Sequence, residues 1–127
     1  MKKIFTLLFL LSSFISFSQS TTVVISQVYG AGGNTGAVYN ADFVELHNVS
    51  GSAYDLTGHS LQYASATSTA AWSGKFDLPA VSIPAGGYYL VQMSTIGANG
   101  AALPTVDATA TPSIAMASAS GKVALVT

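Results

Sequence analysis

The 127-residue sequence contains no cysteine and no arginine, and only 7% of its residues are charged. Without cysteine, neither a disulfide framework nor a thiolate metal site can form, so the fold must be stabilised by a hydrophobic core. With four lysines as its only basic side chains other than histidine, the sequence lacks the cationic surface that binds nucleic-acid phosphates. We therefore expect a small, core-stabilised domain with no direct nucleic-acid binding.

Long hydrophobic runs are also scarce, and the one that stands out lies at the N-terminus. Lys2 and Lys3 precede an almost unbroken apolar run over 4–17, and the small, polar residues 18–20 follow it. As a helix at about 1.5 Å per residue the run would span roughly 21 Å, short of the roughly 30 Å of a bilayer core. This pattern predicts a signal peptide over 1–19, cleaved near Gln19, with an amphipathic or anchoring helix as the alternative. The protein is then secreted or held at the cell surface, with no membrane insertion after signal cleavage.

Cleavage of the predicted signal peptide changes the charge balance. Two lysines leave with it, so two lysines (Lys75 and Lys122) remain against five acidic residues, a net charge of −3. This balance disfavours anionic membranes as well as nucleic acids. The neutral polar residues that make up the rest of the surface are typical of an extracellular module.

Alternating apolar residues predict an all-β fold of short strands joined by small-residue loops. The runs 42–48 and 55–63, separated by a polar turn, predict two neighbouring antiparallel strands of a β-sandwich. Further strands are predicted at 22–29, 75–78, 88–93 and 121–127. We expect one domain over 22–127 that is truncated at its C-terminus, because the last apolar strand ends without a turn.

The glycine-rich segment 30–41 is the one place that suggests a phosphate-binding loop. A dinucleotide fingerprint requires glycine where Thr35 stands, and it requires a helix afterwards, whereas a strand follows here. We therefore predict a flexible loop between strands, in which glycine supplies positive φ angles.

The candidate site residues are Glu45 and His47. Two residues apart on a predicted strand, they share a face, and a carboxylate with an imidazole could bind a metal ion or exchange a proton. The alternative is a solvated or hydrogen-bonded outer face. No nucleophile elbow and no paired histidine motif is present, so we predict no catalytic residues, no cofactor, and Glu45 and His47 as the only candidate metal ligands.

Three other residues each have two interpretations. His59 is either a packed, hydrogen-bonded core residue, which we favour, or a ligand. Trp72 is either a core residue, again favoured, or an exposed stacking residue. Asn48 begins an Asn-Val-Ser sequon, but we interpret it as a turn signal, because the signal peptide is of bacterial type.

Five motifs in order resemble the lamin-tail domain family in its bacterial, secreted form. They are Ile25 to Tyr29 before the glycine loop, Asp42 to Asn48, Asp55 to Gly58, Ile83 to Val91, and Gly121 to Val126. One departure is His59, where the family usually has tryptophan. The resemblance implies an immunoglobulin-like β-sandwich without enzymatic activity.

The resemblance also implies two roles. The first is a binding or positioning module of a secreted or cell-surface bacterial protein, which contacts an unknown extracellular polymer or protein. The alternative is an N-terminal accessory domain of a longer extracellular endonuclease or phosphoesterase, whose catalytic domain lies beyond Thr127.

Overall fold

The computed structural model describes residues 22–69 and 72–127, and its regular structure in this part of the chain is entirely β. The predicted signal peptide, 1–19, lies outside the described residues. No helix within the described ranges is long and apolar enough to cross a membrane. The strands are β1 (Val23–Tyr29), β2 (Phe43–Asn48), β3 (Tyr54–Asp55), β4 (Ser60–Ser65), β5 (Gly74–Asp77), β6 (Ser82–Ile83), β7 (Tyr88–Gln92), β8 (Ala108–Thr109) and β9 (Gly121–Val126).

Two open sheets share one hydrophobic core. The four-stranded sheet has the order β1-β2-β7-β8, antiparallel except for the parallel pair β7-β8. The three-stranded sheet has the order β5-β4-β9 and is antiparallel, and β3 pairs with β6 in a short ladder. This arrangement confirms the predicted all-β sandwich.

Alternate residues of the central strands point into that core, as the period of two requires. They include Val44 and Leu46 of β2, Leu61 and Tyr63 of β4, and Tyr89 and Val91 of β7. Four of these six, Val44, Leu46, Leu61 and Val91, are 0% exposed. Removing one such leucine side chain typically costs about 2–5 kcal/mol of unfolding free energy, so these positions define the fold.

The two strands predicted as neighbours lie in different sheets, so that prediction is wrong. β2 pairs with β1 and β7, whereas β4 pairs with β5 and β9. Asn48, at the end of β2, is fully buried and donates hydrogen bonds to the carbonyl oxygens of Ile83 (2.9 Å) and Pro84 (3.1 Å). This amide ties the end of β2 to β6, the partner of β3, and β4 begins only after the β3 ladder.

A turn after Asp55 interrupts the predicted strand 55–63, since β3 ends at Asp55 and β4 begins at Ser60. The Asp55 carboxylate accepts hydrogen bonds from the backbone N–H (2.9 Å) and the hydroxyl (2.7 Å) of Thr57, and Gly58 has a φ of 79°. These hydrogen bonds lower the pKa of Asp55. His59 follows the turn, is 9% exposed, and its Nε2 lies 2.9 Å from the Tyr54 hydroxyl oxygen. His59 is therefore the packed, hydrogen-bonded residue that we favoured.

Trp72 does not lie in the core, and the favoured interpretation of it is wrong. Its side chain is 41% exposed. The core next to β5 is filled by Ile114, whose Cγ2 would lie 2.8 Å from a Cβ placed on Gly74. An aliphatic side chain from the segment before β9 thus contributes to the core beside β5, and Trp72 does not.

The glycine-rich segment 30–41 is a loop between β1 and β2, as predicted, and it is tied to its surroundings. Backbone bridges join Gly33 to Asn99 and Tyr39 to Ala101. A Cβ on Gly33, whose φ is 75°, would lie 2.6 Å from Gly97 Cα, so glycine permits the two loops to touch. Each loop therefore holds the other in place.

Asp42 connects this loop to the end of the chain. Its carboxylate is 3% exposed and accepts hydrogen bonds from the backbone N–H of Gly32 (2.8 Å) and of Met116 (2.7 Å). These two backbone donors satisfy the buried carboxylate. One side chain at the start of β2 thus joins three segments that are distant in sequence.

Candidate functional site

The side chains that alternate with the core residues form the outer face of the four-stranded sheet. Glu45 lies between Gln27 of β1 and Leu90 of β7, and His47 lies beside Tyr88 of β7. Both residues are partly exposed. The structure thus places Glu45 and His47 on one outward face, as the spacing of two predicts.

Glu45 is held in position by Ser26. The Ser26 hydroxyl donates a 2.6 Å hydrogen bond to Glu45 Oε1, and it lies 3.2 Å from the Glu45 carbonyl oxygen. Ser26 can reach because the register of β1 shifts between Ile25 and Gln27, a bulge that gives Ser26 no partner of its own in the ladder. The bulge therefore orients the carboxylate on the outer face.

His47 is oriented by an aromatic ring and not by Glu45. Its imidazole stacks on the Tyr88 ring with centroids 4.1 Å apart and an angle of 7° between the planes. Structural and catalytic zinc sites use three or four protein ligands. Within 22–69 and 72–127 no group of three or more histidine, cysteine, aspartate or glutamate residues is placed to hold a metal ion. Metal binding by Glu45 and His47 stays a prediction. These two side chains would supply two ligands.

Three aromatic rings form a cluster at the other end of the outer face. Tyr29 and Phe43 stack with centroids 5.5 Å apart, and Tyr39 meets both rings edge-on at 5.7 and 5.6 Å. The Tyr29 hydroxyl oxygen also accepts a 2.9 Å hydrogen bond from the Val38 N–H. The cluster thereby fixes the last part of the glycine-rich loop against the sheet.

A cleft of about 190 Å³, here called the outer cleft, opens beside this cluster. The sheet and the loops both contribute to it. Its lining consists of Gln27, Tyr39, Phe43, Glu45, Leu90, Leu103 and Pro104. It combines one carboxylate and one amide with aromatic and aliphatic side chains, the mixture that small binding sites use for orientation and contact area.

A second carboxylate lies close to the outer cleft. Asp107 accepts a 2.7 Å hydrogen bond from the Leu90 N–H through Oδ2, and its own N–H donates to the Leu90 carbonyl oxygen at 2.9 Å. Burial, together with the negative charge of Asp107, raises the pKa of the Tyr89 phenol. Asp107 thus both fixes the loop before β8 and adds negative charge beside the cleft.

Two other cavities, of about 250 Å³ each, are less suited to a ligand. One lies among Tyr63, Lys75 and Ile114, where Lys75 is already paired with Asp77 at 2.7 Å. The other lies beside Asp42, whose two carboxylate oxygens both accept backbone hydrogen bonds. The outer cleft is therefore the candidate functional site.

Sequence reasoning found Glu45 but missed the rest of the outer cleft. Gln27 lies in a predicted strand with nothing to distinguish it, since a bulge at Ser26 leaves no signal in the alternation of β1. Leu103 and Pro104 interrupt a tract of small residues and could have been noticed as an apolar pair. Their position against Leu90 depends on long-range pairing that the local sequence does not encode.

The comparisons with known proteins agree with this architecture. The Lamin Tail Domain family, in general a non-catalytic immunoglobulin-like module, matches residues 16–127. Comparison with curated proteins gave no match, and comparison with solved structures gave none either. Because the family match extends over most of the sequence and the described strands form the expected sandwich, the chain belongs to the lamin tail domain family.

Proposed function

We propose that this chain is a binding or positioning module of a secreted or cell-surface bacterial protein, and that its partner contacts the outer cleft. The observation that supports this most directly is the oriented Glu45 carboxylate in a cleft of aromatic and aliphatic side chains. Secretion is supported by the N-terminal sequence pattern, with Lys2 and Lys3 before an apolar run.

The construction of the cleft favours recognition. Gln27, Glu45 and Leu90 lie on paired strands, and Asp107 fastens the neighbouring loop to β7 through two hydrogen bonds. A site whose side chains are already fixed loses little conformational entropy when a partner binds. The partner therefore meets a preformed surface.

The test is a binding screen with peptide and glycan arrays, using the labelled protein. Gln27→Arg would place a cationic side chain next to Glu45 and fill the outer cleft, whereas Ser65→Arg adds the same side chain at an exposed position of the other sheet. We expect at least one array ligand that binds the wild type and Ser65→Arg but not Gln27→Arg. If every ligand binds both variants equally, or if none binds the wild type, the proposal is wrong.

The second role, as the N-terminal accessory domain of a longer extracellular endonuclease or phosphoesterase, rests on the resemblance alone. In that arrangement the outer cleft would contact the catalytic domain. Reading the gene beyond the codon for Thr127 tests it: an immediate stop codon would exclude this role, and an open frame with paired acidic and histidine motifs would support it.

A further inference from the structure

We propose that the outer cleft binds a cationic side chain, an arginine or lysine of a partner polypeptide, with arginine preferred. This inference rests on the proposed function, because it names the chemistry of the partner at the same cleft. Three observations lead to it: the charge balance, the rings and aliphatic groups of the lining, and the size of the cleft.

Glu45 has no cationic partner in the described part of the chain. Lys75 pairs with Asp77 at 2.7 Å, and Lys122 Nζ donates a 2.6 Å hydrogen bond to the Ser68 carbonyl oxygen. Residues 22–127 contain these two lysines and five acidic residues, so the surrounding field is negative. A cationic group from another molecule would supply the positive charge that the described residues do not place at Glu45.

The rest of the lining suits a basic side chain along its length. The Tyr39 and Phe43 rings border the cleft, and aromatic faces attract ammonium and guanidinium groups. Phe43 is only 7% exposed, so Tyr39 is the ring that a ligand would meet first. Leu90, Leu103 and Pro104 offer apolar contact to the methylene groups between the backbone and the charged end of an arginine or lysine side chain.

Size and hydrogen bonding favour one side chain, and arginine over lysine. The cleft volume, about 190 Å³, is below the roughly 300–1,000 Å³ of ordinary small-molecule sites. Glu45 and Gln27 are paired across neighbouring strands and both line the cleft, so a carboxylate and a side-chain amide are available there as acceptors. A guanidinium presents five donors in a planar fork and can use both, whereas an ammonium acts as a point charge.

The test is an NMR titration of the full chain with the blocked tripeptides acetyl-Gly-Arg-Gly-amide, acetyl-Gly-Lys-Gly-amide and acetyl-Gly-Gln-Gly-amide, and with the neutral sugar maltotriose. We expect the arginine peptide to shift the amide signals of Gln27, Glu45 and Leu90 with the highest affinity. Raising sodium chloride from 50 to 500 mM should weaken this binding several-fold, because an exposed ion pair is screened by salt. The glutamine peptide and maltotriose should shift these signals little.

Two variants separate a local effect from a change in net charge. Glu45→Gln should weaken binding of the arginine peptide at least tenfold, whereas Asp77→Asn, which removes one negative charge from the exposed end of β5, should change it less than twofold. Equal binding by the wild type and Glu45→Gln would overturn the inference. So would no binding of either basic peptide, or stronger binding of maltotriose at the same residues. In each case the array screen still decides separately whether the cleft binds another partner.

Discussion

Replacing Asn48, a fully buried polar residue, with alanine should strongly destabilise the domain. The side chain is 0% exposed. Its Nδ2 lies within hydrogen-bond distance of the carbonyl oxygens of Ser52 (2.8 Å), Ile83 (2.9 Å) and Pro84 (3.1 Å). Its Oδ1 accepts from the N–H (3.0 Å) and the hydroxyl (2.7 Å) of Ser50. One amide therefore joins the end of β2, the following turn and the end of β6.

The magnitude follows from these contacts. Two N–H groups serve three acceptors, so one hydrogen is shared, and about three or four effective hydrogen bonds disappear in Asn48→Ala. At about 1 kcal/mol for each bond lost, the unfolding free energy should fall by about 3 kcal/mol. For a domain of about 100 residues this corresponds to a fall in Tm of roughly 12–24 °C. Asn48→Asp should be at least as harmful, because it places a second oxygen against three carbonyl oxygens.

Thermal unfolding followed by circular dichroism measures this effect. The matched control is Asn99→Ala, because the Asn99 amide donates one exposed hydrogen bond to the Gly33 carbonyl oxygen at 3.0 Å. This control should lower Tm by only a few degrees, as expected for the loss of about one bond at most. A fall below 5 °C for Asn48→Ala, or equal falls for both variants, would refute the role assigned to Asn48.

Three further predictions concern the loops, the pH dependence and the surface. Gly33→Ala should lower Tm more than Gly36→Ala, since both residues have positive φ but only Gly33 has backbone within 3 Å of an added Cβ; equal losses would show that the close loop contact is unimportant. The pKa of Tyr89 is raised from 10.0 in the folded state, so the stabilising contribution of the neutral phenol is complete below pH 10 and is lost as pH rises through the folded-state pKa. The urea midpoint of the wild type should therefore fall between pH 9 and 11.5, and it should fall less in Tyr89→Phe. Trp72→Ala should cost under about 1 kcal/mol in urea unfolding, against roughly 2–5 kcal/mol for Leu61→Ala, and similar costs would mean that the indole is buried.

Most strands could be predicted because their signal is local. In β7 the inward residues Tyr89 and Val91 alternate with partly or fully exposed ones, and in β2 the inward residues Val44 and Leu46 flank the partly exposed Glu45. A period of two is visible in a single segment and needs no knowledge of the partner strand. β8, with two residues in a tract of alanine and threonine, has no such pattern, and it exists because it pairs with β7.

The pairing of strands and the outer cleft could not be predicted, because both depend on contacts between distant segments. Alternation assigns an inward face to β2 and to β4 but does not state that they belong to different sheets. Likewise Gln27, Glu45 and Leu103 meet only after β1, β2 and the loop before β8 have been placed. Glu45 was a candidate because a carboxylate on a strand face is visible in sequence, whereas its neighbours are ordinary residues until the fold gathers them.

The position of Glu45 on β2 explains why the candidate site can be preformed in so small a domain. Both ends of β2 are held by buried polar side chains: Asp42 accepts hydrogen bonds from Gly32 and Met116, and Asn48 donates to Ile83 at the end of β6 and to Pro84. Between them Val44 and Leu46 are completely buried, so β2 cannot shift without breaking the core and both polar anchors. The backbone of the residues that alternate with Val44 and Leu46, such as Glu45, is therefore already fixed by folding, and partner binding need not order it. A binding surface on such a strand needs only side-chain adjustment when a partner binds. This favours recognition of a single partner side chain by a preformed cleft over binding in which the backbone closes around the partner.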